Sequence, residues 1–162
     1  MTLPVPRDPK LLEPGEGEYV VIGGKARCTF KISAEDTDGQ FGLFEFVMEA
    51  EGVGATPHTH QELTEMFYVA DGEVDLMAGD KKTRGGQGTI LVVPPGAVHA
   101  FANVGPGPAT VLVMFCPAGE RERYFKGLAD LTVDGRVPSK EELVQLMSEN
   151  DQQPVDLGDW RA

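Results

Sequence analysis

PHTHQELTEMFYV, residues 57–69, is the stretch on which the reading of this chain turns. His58 and His60 are two positions apart, so on a strand both rings leave the same face. Their Cα atoms would lie roughly 6.6 Å apart along that strand. Two imidazoles leaning together can bring ring nitrogens to about 2.0–2.1 Å from a single ion. Glu65 lies just beyond the short QELT connection, where a neighbouring strand can carry its carboxylate back into the same space. Two histidines and a carboxylate are a trio that holds a divalent ion with coordination positions left open. The chain has only three histidines. The third, His99, follows the turn-forming Pro94-Pro95-Gly96 and opens a new strand, with Phe101 and Asn103 on its side.

Working outward from that stretch, short apolar segments alternate with turn signals from 18 to 116. EYVVI, CTFKI, LFEFVMEA, EMFYVA, EVDLMA, TILVV, HAFANV and TVLVMF read as strands. AEDTDGQ, EGVGATP, DGE, GDKKTRGGQG, PPG and GPGP read as the turns between them. This pattern predicts an all-β sandwich or barrel. In FEFVMEA, Phe44, Phe46 and Met48 share a face that should point inward, and Glu45 and Glu49 face the other way. Residues 1–17, rich in proline and charge, are expected to form an extended arm. Residues 117–162 are expected to form a helical extension and tail. There Tyr124, Leu128 and Leu131 fall at helical spacing. Ser139 and Glu142 make a capping box opening KEELVQLMSEN, whose Leu143 and Met147 share a face. The two helices are expected to pack on the outside or one end of the barrel.

Composition limits the function classes. The 162 residues suit one domain, and 20 glycines and 12 prolines favour short strands and turns over a helical bundle. A net charge of −12 repels phosphate backbones and anionic lipid, which argues against nucleic acid or a membrane surface as partner. No run of 18 apolar residues offers a membrane span, and the N-terminus does not resemble a signal peptide. Cys28 and Cys116, without CxxC spacing, suit a reducing compartment, so a cytoplasmic setting is expected. Cys116 ends an apolar run and is expected to be buried.

Ten positions now resemble the cupin superfamily. Gly52, His58, His60, Glu65 and Gly72 match its first motif, and Gly88, Pro94, Gly96, His99 and Asn103 its second, both without a gap. The 15 residues between them equal the spacer of single-domain members. The resemblance implies a cupin jelly-roll β-barrel of two antiparallel sheets, with the two short C-terminal helices packed outside. It also implies one divalent transition metal ion (Fe, Ni, Mn, Co or Zn) bound by His58, His60, Glu65 and His99. A vestigial site would be expected to have lost a ligand, because a buried imidazole or carboxylate without a partner costs free energy. Glu62, beside a turn, reads as a solvated charge. Gly72, Gly88 and Gly96 read as turn formers, and Asn103 as a local hydrogen-bonding group.

Alternation from Glu65 puts Phe67 and Val69 on the metal's side, and alternation from His99 puts Phe101 there. With Phe44, Phe46 and Met48 they are expected to line an apolar, aromatic pocket into which no lysine or arginine projects from these strands. Such a pocket suits a small aromatic or polyketide-like substrate with oxygen donors. PAGERERYFKGLADL (117–131) and PSKEELVQL (138–146) narrow the resemblance to the quercetin 2,3-dioxygenase-like monocupins. This implies a dioxygenase that binds a flavonol-like or other enolisable aromatic substrate directly to the metal and uses dioxygen, with Glu65 as the catalytic proton acceptor. A metal-dependent isomerase or polyketide cyclase is the alternative, and so is a non-catalytic small-molecule-binding protein. A homodimer is expected, to which the N-terminal arm could contribute.

Overall fold

Period-two alternation of apolar residues makes strands wherever one face can be buried, and the computed structural model shows this through residues 8–49 and 54–161. The first seven residues of the expected arm, and Gly52 of the first motif, lie outside the described residues. The strands are β1 (Glu18–Ile22), β2 (Ala26–Ile32), β3 (Gly42–Met48), β4 (Gly54–Thr59), β5 (Thr64–Asp71) and β6 (Glu73–Ala78). They continue as β7 (Lys81–Gly86), β8 (Ile90–Val93), β9 (His99–Ala102), β10 (Ala109–Cys116) and a two-residue β11 (Gln153–Pro154). The helices are α1 (Arg121–Leu131) and α2 (Lys140–Ser148).

Two antiparallel sheets result, ordered β1-β2-β3-β10-β5-β8 and β11-β4-β9-β6-β7. From β3 to β6 each successive strand lies in the opposite sheet, as in a jelly roll. One such crossing is made at Gly72, whose φ of +73° and closeness to the Pro108 carbonyl leave no room for a side chain. The inward faces meet in one apolar core. Phe44, Phe46 and Met48 point into it, as expected, together with Phe67, Val111 and Val113.

The structure corrects two expectations. KKTRGG, read as turn, is β7. It is an edge strand whose lysines face solvent, so it has no apolar period to betray it. Cys116 is exposed and Cys28 is buried, because β10 alternates and Phe115 takes the inward position beside Cys116. The two helices pack outside the sheets, as expected, and close one side of the jelly roll. Helix α1 lies against β1, the edge of one sheet, and α2 lies against β11, the edge of the other. The pair therefore bridges an open side of the jelly roll. Phe125 of α1 reaches in, its ring centroid 4.9 Å from that of Phe44 and 5.1 Å from that of Phe46. The capping box of α2 forms as read, with the Ser139 hydroxyl accepting from the Glu142 amide and the Glu142 carboxylate accepting from the Ser139 amide. Among the described residues, no helix is long and apolar enough to cross a membrane.

Asn103 holds the end of β3 to the loop before β10. Its side-chain amide is fully buried and donates to the carbonyls of Met48, Glu49 and Gly107, while its oxygen accepts from the Gly105 amide. Asn103→Ala leaves those backbone groups buried without partners, so a loss of about 2–3 kcal/mol is expected in urea unfolding. An unchanged midpoint would show that water replaces the side chain.

Candidate metal centre

Four side chains from both sheets meet at one point. His58 near the end of β4 pairs across the ladder with His99 at the start of β9. His60 lies just past β4, and Glu65 arrives on β5 of the opposing sheet. Their exposures are 2%, 2%, 0% and 3% for His58, His60, His99 and Glu65. The four donor atoms lie within 4.8 Å of one another.

Backbone carbonyls set the tautomer of every ring. Nδ1 of His58 lies 2.7 Å from the Thr56 carbonyl, and Nδ1 of His99 lies 3.0 Å from that of Ala97. Nδ1 of His60 is hydrogen-bonded to the carbonyl of Asp151. A carbonyl only accepts, so each Nδ1 carries the proton and each Nε2 turns its lone pair inward. Glu65 Oε2 sits 2.6 Å from Nε2 of His99, 3.0 Å from that of His60 and 3.9 Å from that of His58. Three lone pairs and a carboxylate facing one another, with every ring proton directed elsewhere, repel unless a cation stands between them. Ligand bonds of about 2.0–2.2 Å at right angles separate neighbouring donors by roughly 2.8–3.1 Å. The donor set and its spacing thus fit a divalent transition ion, and nitrogen with one oxygen suits several of these metals.

The site's electrostatics run the same way. Burial alone would raise the Glu65 carboxyl, but hydrogen bonds from the three imidazoles, which form wherever an Nε2 takes up a proton in place of a cation, hold it well below the usual carboxylate range. Burial lowers the affinity of His58 for a proton, with Glu65 only partly opposing this. Both groups are therefore in their metal-binding forms at neutral pH.

The C-terminal tail supplies a support that was not legible in the chain. Asp151 adopts a left-handed conformation (φ 51°). Its carboxylate accepts from the amides of Gln61 and Glu62 at 2.9 and 3.0 Å, and its carbonyl orients His60. One residue thereby fixes the whole turn between the second histidine and the glutamate. Glu62 itself is exposed and offers the site only its amide.

Beside the four donors lies a cavity of about 230 Å³, lined by His58 and Glu65 among others. Of the six residues expected on its wall, Phe46, Met48 and Phe101 line it. Phe44, Phe67 and Val69 lie in the surrounding core. Phe44 packs on Phe30 and Phe115, and Phe67 packs under His99 and Phe101. Alternation tells which face a residue takes, but it does not tell how far along the sheet the core gives way to open space. The helices complete the wall. Tyr124, Phe125 and Leu128 come from α1, and Leu143 and Met147 from α2.

Among the described residues no strand sends a cation into this space, but α1 does. Arg121 lines the cavity with Gln152. Its Nη1 donates to the Asn150 carbonyl at 2.9 Å and its Nη2 to Gln152 Oε1 at 2.8 Å. A signal for this was present, since Arg121, Tyr124, Phe125 and Leu128 recur at the spacing of a single helical face.

Residues 44–115 match the family model described as "Cupin domain". The quercetin 2,3-dioxygenase of Bacillus subtilis (strain 168) is 28% identical over a 125-residue alignment that covers 75% of this chain. The chain spans only 35% of that enzyme's length. Among solved structures, KdgF from Halomonas sp. superposes with a TM-score of 0.62 at 16% identity, over 71% of this chain and 99% of its own. The polyketide cyclase RemF from Streptomyces resistomycificus does so at 0.59 and 23%, covering 67% and 80% of the two chains. A cupin-superfamily sugar phosphate isomerase from Silicibacter pomeroyi gives 0.58 and 21%, covering 66% and 75%. At these identities the solved structures share the fold.

His58→Ala removes one of four donors and is expected to strip most bound metal, as read by elemental analysis after dialysis; normal metal content would undo the assignment. Acid should release the ion too. Imidazoles that take up protons stop being ligands, so occupancy at fixed metal concentration should fall below about pH 6.5. Burial displaces the loss at His58 to the acid side of that value. Full occupancy at about pH 4.5 would show that imidazoles are not the ligands.

Proposed function

We propose that this chain, which carries a cupin domain with a buried centre of three histidines and one glutamate, is a metal-dependent dioxygenase acting on an enolisable aromatic substrate. The observation that carries this reading is the juxtaposition of that centre with a mainly apolar cavity that has five Phe and Tyr side chains in its wall. The likeness to quercetin 2,3-dioxygenase supports it. Bound by His58, His60, Glu65 and His99, a divalent ion would supply a Lewis acid with positions open to oxygen donors.

The chain's own residues do the rest. Phe46, Phe101 and Phe125 offer flat apolar surfaces that hold an aromatic ring and exclude water. Glu65 is ionised, its carboxylate borders the cavity, and it can accept the proton of a substrate hydroxyl as that oxygen takes up negative charge. The three Nδ1–carbonyl hydrogen bonds keep the imidazoles from rotating as the proton moves. A cavity of about 230 Å³ lies below the usual range for drug-sized ligands, which favours one or two rings over a glycoside. A cytoplasmic setting belongs to the same proposal.

An oxygen electrode decides the matter. With iron, nickel, manganese or cobalt supplied in turn, dioxygen should be consumed in step with a flavonol or a smaller enolisable aromatic. Glu65→Gln should cut the rate by about 10²–10⁴ beyond what metal loss explains. Substrate turnover without oxygen uptake would assign an isomerase or cyclase in its place. Unchanged substrate and oxygen with every metal would leave a binding protein.

A further inference from the structure

Arg121 is 2% exposed, yet it lines the cavity. A buried guanidinium ordinarily meets a carboxylate, because its charge is otherwise lost to low-dielectric surroundings. Here its hydrogen bonds go to the neutral acceptors Asn150 and Gln152, and its Nε is buried with no acceptor. Its aromatic neighbours are uncharged as well. The guanidinium carbon lies 4.2 Å from the Tyr124 ring centroid and 4.6 Å from that of Phe115. Burial pushes up both the Tyr124 hydroxyl and the Cys28 thiol, so neither supplies a negative charge at neutral pH. The two nearby acids are already engaged, Glu65 with the imidazoles and Asp151 with the amides of Gln61 and Glu62. A divalent ion and Arg121 would together bring three positive charges to this region, against two negative ones, Glu65 and the Asp151 carboxylate turned toward Gln61 and Glu62. One positive charge is left uncompensated, and Arg121 is the cation with no carboxylate bonded to it.

We infer that Arg121 is the anion-recognising end of the cavity, and that the ligand is an aromatic molecule carrying an acidic oxygen for Arg121 in addition to the oxygen it presents to the metal. This rests on reading the cavity as the substrate site and narrows the substrate class from neutral aromatics to aromatic acids and their vinylogous equivalents. Phe115 ties the two ends together, its ring next to both His60, at 5.9 Å between centroids, and the guanidinium. A flat ligand bordered by Phe46 and Phe101 can thus meet the metal with one edge and Arg121 with another. Arg121 is a specificity residue in this account, and its planar fork suits a carboxylate better than an ammonium would.

The test uses zinc-loaded protein, in which no oxygen chemistry is required, and calorimetric binding of 3- and 4-hydroxybenzoate against 3- and 4-hydroxybenzamide. The acids should bind about tenfold or more tightly than the matching amides. Arg121→Met should bring that ratio to about one, with zinc content unchanged; should that variant not fold, Arg121→Gln, neutral but still a donor, replaces it. Arg121→Lys should retain part of the preference. Equal binding of acid and amide by the wild type, failure of all four probes to bind, or a preference that survives in Arg121→Met would each overturn the inference. A strut that merely tied α1 to the tail would change the melting temperature without changing the ratio. Acid preference without oxygen uptake would remove the oxygenase reading alone. Uptake without acid preference would remove only the anion subsite.

Discussion

Four electron-rich atoms pointed at one buried spot form the constraint around which this molecule is arranged. Each imidazole has its Nδ1 proton claimed by a backbone carbonyl, so none can turn to relieve the crowding of Nε2 lone pairs against Glu65. A cation removes that repulsion from all the pairs at once. Without one, a proton must be taken up, and burial opposes this at His58. Metal binding and native structure are therefore linked. An ion bound here would spend part of its binding energy on holding together two sheets that contribute donors from opposite sides.

The parts of this arrangement that could be read in the sequence are those written in side chains. The HxH pair and the glutamate five residues on come together as spacing and alternation suggested, and the distant histidine joins them as the cupin resemblance implied. Eight apolar segments become strands, and the Ser139–Glu142 box opens a helix. What could not be read is written in backbone or in depth. β11 is two residues long and has no period. Asp151 acts partly through its carbonyl, a group every residue has. Phe67 takes an inward face as predicted, but it packs beneath His99, where the core is solid.

The helices show how a correct local reading can carry an incomplete functional one. Tyr124, Leu128, Leu143 and Met147 were legible as apolar helical faces, and an apolar face looks the same whether it rests on a core or roofs a cavity. Here α1 and α2 span from β1 to β11 and wall the space beside the donors. The molecule is thereby divided. The candidate donors come from the jelly roll and its adjoining turn, while much of the cavity wall comes from the helical extension. Domains of one fold can then host different substrates by changing the wall and leaving the donors alone.

One short segment joins these two halves. Asn150 and Gln152 accept from Arg121, and Asp151 between them orients His60 and pins the amides of Gln61 and Glu62. Three consecutive residues thus set the position of a metal ligand and of the cavity's cation. An apolar side chain of similar volume could have stacked on Phe115 and Tyr124 without the cost of burying a charge. A guanidinium there is poorly explained by packing. The segment also carries a left-handed residue and two side chains turned toward the cavity and the helix, so it cannot shift toward one partner without moving from the other. The spacing between the metal donors and the cavity's arginine is consequently a property of the tail, and the two ends of the site are held as one unit.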